Sequence, residues 1–256
     1  MADKPIIFSA PMVRALLNGS KTQTRRVVKS SAIIDLCNGL KGATGLAAQY
    51  TNDLPVRANV NDRLWVREGW RIGAWRTEQW ARGNGECDAN LAVDYLADGK
   101  ARKEWLSGDN PEMMLRLVEQ SRDDAEKDGR FKQDAEFQYR WSPGESPCRG
   151  RPSIHMPRWA SRLTLTVTDV RVQRLQDIHS RDCLAEGIAA DQEVLNSISA
   201  SHTTKHTRDE YHRAHVAPFC TLWNSINGPD AWAKNPWVAA YTFTVEHGNI
   251  DRLSAA

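Results

Sequence analysis

The chain reads Gly19-Ser20-Lys21-Thr22-Gln23-Thr24-Arg25-Arg26 directly after residues 10–17, which predict a short helix ended by Asn18-Gly19. The residues that follow, 24–29, predict a strand. Because side chains alternate along a strand, Thr24 and Arg26 would share one of its faces. The stretch therefore predicts a helix, a tight loop and a strand that present polar side chains together.

This stretch is the first candidate for a functional site. Gly19 allows a tight turn, and Lys21, Thr24 and Arg26 suit a phosphate group or the polar edge of a base. A catalytic interpretation is also open, because a desolvated Lys21 can activate the hydroxyl of Thr24 as a nucleophile. A plain polar connection between helix and strand is the third interpretation. A P-loop is excluded, since the GxxxxGK[ST] spacing is absent.

The rest of the chain predicts an α+β fold. Strand patterns occupy 5–9, 63–68, 91–96, 162–175 and 237–245, and helical patterns occupy 111–127, 180–186 and 209–226. Strands and helices do not alternate regularly, which favours a small mixed or barrel-like sheet with flanking helices over a doubly wound sheet. We expect one domain over residues 1–256, with insertions at about 30–55 and 76–140.

The stretch 19–26 resembles the GxKxxxxR signature of the ASCH domain family, which belongs to the PUA-like superfamily. Two further segments support the resemblance. Residues 61–68 resemble the family's GD-x-L-x-V strand, with Asn61 where glycine is usual, and residues 237–245 resemble its last barrel strand. The whole chain is similar to ASCH-type proteins encoded by tailed phages and enterobacterial prophages.

The resemblance implies a small mixed β-barrel with a cleft lined by the signature residues, and binding of RNA or modified nucleosides. One branch of the family is an amidohydrolase that removes the acetyl group from N4-acetylcytidine with a Lys, a Thr and a Glu. The Lys and Thr correspond to Lys21 and Thr24, but the Glu corresponds to Thr166. Thr166 cannot act as a general base near neutral pH, so either Glu68 replaces that Glu or the activity is absent. Another branch implies ribonuclease activity.

Glu68 and Trp65 belong to the second candidate site, on the predicted strand 63–68. Alternation places Glu68 on the same face as Val66, which is unusual for a carboxylate without a partner. Glu68 therefore either forms a salt bridge with an arginine or acts as the acid/base. Trp65 is a candidate for stacking on a base.

The segment 153–159 supplies the third candidate site. It lies between a proline-rich loop and a predicted strand, and it contains His155, Arg158 and Trp159. His155 could transfer a proton, Arg158 could bind phosphate and Trp159 could stack on a base. The alternative is a structural latch, with Trp159 in the core.

Charge is unevenly distributed although the net charge is only +2. Residues 1–30 and 149–174 each contain six basic residues and one acidic residue, whereas residues 78–140 contain fifteen acidic and ten basic residues. The basic blocks could form one positive face for nucleic acid. The acidic region could bind a protein partner. Ten tryptophans against five phenylalanines add rings suited to stacking or packing.

Composition also excludes several classes of protein. No apolar run is long enough for a transmembrane helix, and no secretory signal core is present, so we expect neither a membrane protein nor a secreted one. Five scattered cysteines without a CxxC pair indicate a reducing cytoplasm. The resemblance to phage-encoded proteins implies that this is the cytoplasm of a bacterial host. Histidines at 202, 206, 212 and 215 sit near Cys220, yet polar connector residues surround the first two. We predict no metal and no cofactor.

Three hypotheses result. The first is recognition of RNA, other nucleic acid or a modified nucleotide in a basic cleft built on the GxKxxxxR stretch. The second is a small hydrolase in the same cleft, either an amidohydrolase on an N-acylated nucleoside or a ribonuclease. The third is a phage accessory protein that acts through protein contacts.

Overall fold

The structure is a computed structural model, and it describes residues 2–29, 34, 56–78, 88–134, 139, 141–142, 144–193, 195–196 and 208–253. Seven strands are present in this part of the chain: β1 Asp3–Ile7, β2 Gln23–Val27, β3 Arg63–Arg67, β4 Trp70–Glu78, β5 Asp88–Tyr95, β6 Leu163–Arg174 and β7 Trp237–His247. Four α-helices accompany them: α1 Ala10–Leu17, α2 Pro111–Asp128, α3 Ser180–Ala185 and α4 Arg208–Asn227. The predicted α+β class is therefore confirmed.

The strands form two sheets. The larger has the order β1-β3-β6-β7-β2, and β4 pairs with β5 in a separate two-stranded sheet. Strand β2 runs antiparallel to β7, with Thr24 opposite Tyr241 and Arg26 opposite Ala239. Among the described residues no pairing joins β1 to β2, so the larger sheet is open. The predicted insertion at 30–55 lies outside the described residues apart from Ile34.

The chain divides into two compact units. Unit 1 comprises Met1–Lys4, Ala15–Leu64 and Leu165–Glu246, and unit 2 comprises Pro5–Arg14, Trp65–Thr164 and His247–Ala256. Each of the strands β1, β3 and β6 has residues in both units.

Helix α3 of unit 1 packs against β2 and against α4. The core there includes Cys183 of α3, Phe219 and Trp223 of α4, and Val238 of β7, and Trp232 packs against it. Trp223 and Trp232 therefore help to pack the last helix, α4, against the last strand, β7. Packing at this point fixes where β2 stands relative to α3.

A bulge in β4 explains the spacing of the tryptophans in unit 2. The pairing of β4 with β5 shifts register between Ile72 and Ala74. The extra residue, Gly73, reverses the alternation, so that Trp70, Ile72 and Trp75 are all buried in one core. Because a spacing of five residues matches neither a straight strand nor a helix, the sequence pattern did not reveal the strand at 70–78.

Asn61 adopts a backbone conformation that favours glycine. Its φ is 69°, in the left-handed region that asparagine tolerates better than most residues. The next residue, Asp62, accepts hydrogen bonds from Ala2 N at 2.7 Å, Lys4 Nζ at 2.7 Å and Asn59 N at 3.1 Å. Burial raises the pKa of Asp62, but these hydrogen bonds outweigh it and hold the pKa below its usual value.

No helix in the described part of the chain is both long and apolar enough to cross a membrane.

Candidate functional site

Strand β2 presents two polar faces, as its alternation predicts. Gln23 and Arg25 lie on one face, and Thr24 and Arg26 lie on the other. Gln23, Thr24 and Arg25 are all buried. Buried polar groups require partners, and the partners on the two faces give the faces different roles.

Lys21 belongs to the face that packs against α3. Its side chain is 1% exposed, and Nζ donates to Gln23 O at 2.8 Å, Glu186 O at 2.9 Å and Glu186 Oε2 at 2.8 Å. Burial lowers the pKa of Lys21 below its ordinary value, and the carboxylate of Glu186 offsets part of this shift. An ammonium has three N–H bonds, so these three acceptors occupy all of them.

Arg25 extends the same buried network. It donates to Gln23 Oε1 at 2.6 Å, Glu186 Oε1 at 2.9 Å and Asp182 Oδ2 at 3.0 Å. Asp182 also accepts from Arg171 Nη2 at 3.3 Å. Burial raises the pKa of Asp182, but Arg25 and Arg171 outweigh it and hold that pKa below its usual value. The network therefore joins β2 to α3 through ion pairs that are hydrogen-bonded on both sides.

Gly187 allows Glu186 to approach Lys21. Its φ is +79°, and a Cβ at this position would lie 2.8 Å from Cβ of Ala15 and 3.0 Å from Cβ of Lys21. Only glycine fits this conformation and this space. The sequence predicts a helix over 180–186, but nothing in it identifies Glu186 as the partner of Lys21. No local signal could have done so, because the two residues are 165 positions apart.

Thr24 and Arg26 lie on the opposite face of β2. Arg26 Nη1 donates to Thr24 Oγ1 at 3.3 Å and to Arg25 O at 3.2 Å. Burial lowers the pKa of Arg26, yet an arginine keeps its proton in proteins. Tyr241 lies opposite Thr24 on β7, and its Oη accepts from Arg57 N at 3.1 Å. This face thus holds two arginines and a tyrosine close together.

A cleft of about 690 Å³ opens on this face within unit 1. The described residues lining this basic cleft are Arg26, Val27, Val28, Lys29, Val56, Arg57, Trp223, Asn227, Ala231, Lys234, Pro236, Ala239 and Tyr241. Four of these residues are basic and none is acidic. Of the predicted site residues only Arg26 lines the cleft. The sequence gives no signal for four other lining residues, which lie on separate segments and share no spacing: Arg57, Trp223, Lys234 and Tyr241.

Glu68 lies in unit 2, in a salt bridge of the kind that the sequence analysis left open as an alternative. Both of its carboxylate oxygens accept from Arg162, each at 2.8 Å, and Arg162 also pairs with Asp98 at 3.0 Å. The Arg162 guanidinium lies 4.0 Å from the ring centroid of Tyr95. Burial raises the pKa of Glu68, and Arg162 opposes that shift. This geometry favours a structural role over acid/base catalysis.

The other predicted binding residues of unit 2 are also held by partners. Trp65 is 9% exposed, and the Arg67 guanidinium lies 5.4 Å from its ring centroid. Trp159 packs edge to face on Trp70, with centroids 6.0 Å apart. Arg158 Nε donates to both oxygens of Asp251, at 2.9 and 3.0 Å. The structure therefore favours packing roles for both tryptophans, and His155, which is exposed, remains without such a role.

The predicted site residues divide between the units. Gly19, Lys21, Thr24 and Arg26 belong to unit 1, whereas Glu68, Trp65, His155, Arg158 and Trp159 belong to unit 2. Thr166 donates from Oγ1 to Glu246 Oε1 at 3.1 Å within unit 1. Glu246 thus joins Glu186 and Asp182 as a carboxylate of unit 1 that the sequence did not single out.

Among the residues that the structure describes, no three His, Cys, Asp or Glu side chains come together in a group able to hold a metal ion. His202 and His206, which the sequence analysis considered as ligands, lie outside those residues. His212 Nδ1 lies 3.3 Å from Ser180 Oγ, and His215 is buried.

Comparison of the chain with protein-family models, with curated proteins and with solved structures finds no match.

Proposed function

We propose that the protein binds phosphate-bearing nucleotides or single-stranded nucleic acid in the basic cleft. The observation that carries this proposal is the composition of the cleft wall: Arg26, Lys29, Arg57 and Lys234, with no acidic residue among the described lining residues. Lysine and arginine supply most of the affinity of proteins for nucleic acid, because they neutralise phosphates and release counterions.

The remaining wall residues suit the rest of a nucleotide. Asn227 contributes an amide that can hydrogen-bond a base edge, and the largely buried rings of Trp223 and Tyr241 contribute apolar wall. The cleft volume of about 690 Å³ falls within the range typical of small-ligand sites. A short nucleotide segment, with its charge on the four basic residues, is the ligand that this combination fits.

Recognition is favoured over hydrolysis by the state of Lys21. A lysine that activates a threonine must be neutral and must direct its lone pair at the hydroxyl. The three N–H bonds of Lys21 are donated to Gln23 and Glu186 instead. Ribonuclease chemistry needs a general acid and a general base, and the described lining of the cleft has neither a histidine nor a carboxylate.

The proposal includes the finer features that the resemblance implies. The five-stranded sheet would be the core of a PUA-like ASCH fold, with Asn61 in the place of the family's glycine. The protein would act in the cytoplasm of a bacterial host as a phage- or prophage-encoded component. Cys148 and Cys183 are buried free thiols, which agrees with a reducing compartment.

A ligand-stabilisation screen tests the proposal. Nucleosides, nucleoside mono- and diphosphates and short single-stranded RNA and DNA are added in turn, because a ligand that binds the folded state raises the melting temperature. We expect stabilisation that requires phosphate, is weakened by Lys234→Gln, and is unchanged by Arg181→Gln, an exposed basic residue of α3 outside the cleft lining. No stabilisation by any phosphate-bearing compound at low salt would overturn the proposal and favour the protein-contact hypothesis.

The hydrolase alternative has its own test. Purified protein is incubated with N4-acetylcytidine and the released acetate is measured. We expect no release, and the Thr24→Ala variant should match the wild type. Acetate release that Thr24→Ala abolishes would replace recognition with catalysis as the function of this site.

A further inference from the structure

A second cavity, of about 440 Å³, lies within unit 2, beside α2 and residues 149–157. Its apolar wall includes Trp70, Met113, Leu117 and Pro157. All of its described lining residues belong to unit 2, whereas the basic cleft belongs to unit 1. We call it the Arg151 cavity. His155, which does not line the basic cleft, lines the Arg151 cavity.

Arg151 is the residue in this wall whose hydrogen bonding is incomplete. It is 8% exposed, and its Nη2 donates to Gln120 Oε1 at 3.1 Å. Its guanidinium lies 5.3 Å from the ring centroid of Trp70. Its Nη1 is buried and has no hydrogen-bond partner among the described residues. A buried charged donor without a partner costs free energy. A ligand that offers Nη1 an acceptor would remove this cost.

The charges around the cavity define that acceptor. Arg149 and His155 line it together with Arg151, and none of its described lining residues is acidic. Asp124, which accepts from Arg149 N at 3.1 Å and lies 4.0 Å from Arg149 Nε, is not among them, so Arg151 is the main cation of the cavity. An anionic head group is therefore favoured beside the arginines, and the apolar wall favours a hydrophobic body next to it.

We propose that the Arg151 cavity binds a small organic anion with an apolar body, either a carboxylate or a phosphate monoester. The anionic group would pair with Arg151, assisted by Arg149 and His155, and the apolar body would pack on Met113 and Leu117. The inference does not depend on the proposed nucleotide site.

Calorimetric titration of the full chain tests this with four probes: octanoate, octyl phosphate, 1-octanol and inorganic phosphate. We expect octanoate or octyl phosphate to bind, and the comparison of the two identifies the preferred head group. Uncharged 1-octanol and inorganic phosphate, which each lack one half of the ligand, should bind at least about tenfold more weakly, since a charge-assisted hydrogen bond or a buried apolar chain accounts for that factor or more.

Two variants assign the binding to this cavity. Arg151→Gln removes the charge and should weaken binding of the anionic probe about tenfold or more. Leu117→Trp fills the cavity without altering any charge, so it should block the probe even if Arg151→Gln fails to fold. Lys234→Gln, in the basic cleft, should leave this binding unchanged, which separates the two sites. Failure of both anionic probes to bind, or equal binding by the wild type and Leu117→Trp, would overturn the proposal.

Discussion

Removing the carboxylate of Glu186 tests the role of Lys21. Glu186 is 5% exposed, and its two oxygens contact Lys21 Nζ at 2.8 Å and Arg25 Nη1 at 2.9 Å. Glu186→Gln keeps the shape and removes the charge. Arg25 would retain Asp182 at 3.0 Å, whereas Lys21 would lose its carboxylate partner and keep neutral acceptors such as the carbonyl oxygens of Gln23 and Glu186. The main cost of Glu186→Gln is therefore the buried charge of Lys21, which is left without a carboxylate partner.

The expected magnitude follows from this burial. Breaking a buried ion pair by removing one partner costs about 3–5 kcal/mol, because an uncompensated charge is left behind. For a chain of this size each kcal/mol lowers the melting temperature by about 2–4 °C, so the expected decrease is about 6–20 °C. The assay is urea unfolding at pH 7 followed by circular dichroism, together with a calorimetric scan.

A double variant separates the ion pair from other effects of the substitution. Adding Lys21→Met to Glu186→Gln removes the uncompensated amine, and we expect it to recover part of the lost stability, as coupled neighbours do. A loss below about 1 kcal/mol for Glu186→Gln, with no recovery in the double variant, would refute the reasoning. Lys21 would then be available as a base, and the hydrolase hypothesis would gain support.

Three further predictions follow from the same structure. Gly73→Ala should destabilise the β4–β5 sheet by about 1–3 kcal/mol in urea unfolding, because the new Cβ would clash with Asp94 Oδ1. Gly69→Ala serves as the control and should cost less, since its nearest contact would be 3.5 Å. The pKa of Asp182 is lower in the folded state than in the unfolded chain, so its contribution to stability is complete above its ordinary value of 3.8 and is lost as the pH falls through the folded-state pKa. Asp182→Asn should therefore flatten the acid limb of a stability profile measured between pH 2 and 7, and an unchanged limb would contradict the assignment. Burial raises the pKa of the Cys183 thiol to about 12. We therefore expect this thiol to resist alkylation at pH 8 until the protein is unfolded in urea. Labelling is mapped by mass spectrometry, and rapid labelling of Cys183 under native conditions would show that the thiol is not buried.

Local patterns were enough to predict most elements of the fold. Helix α1 spans the same residues as the prediction, 10–17, and the helix at 111–127 is confirmed with Asn110 as its N-cap, accepting from Met113 N at 3.0 Å. Strand β4 was not predicted, because the bulge at Gly73 breaks the two-residue period on which strand prediction depends.

Tertiary contacts decided the roles of the site residues. The alternation of β2 correctly paired Thr24 with Arg26, but it could not show that Lys21 faces α3 and a carboxylate 165 positions away. Likewise, the alternatives for Glu68 could be named from the sequence, but only the contact with Arg162 distinguishes them. The cleft residues Arg57 and Lys234 come from loops whose sequence has no periodicity, so their meeting depends on the completed fold.

The salt dependence of RNA binding tests the basic cleft most directly. The affinity of a short single-stranded RNA is measured by fluorescence anisotropy over a range of salt concentrations for the wild type, for Lys234→Gln and for the control Arg181→Gln. For single strands the logarithm of affinity falls with the logarithm of salt concentration by about 0.7 per phosphate contact. We predict that Lys234→Gln weakens binding and lowers this slope by about 0.7, while Arg181→Gln matches the wild type. An identical slope for all three proteins, or no binding at low salt, would contradict the assignment of the cleft as the nucleotide site.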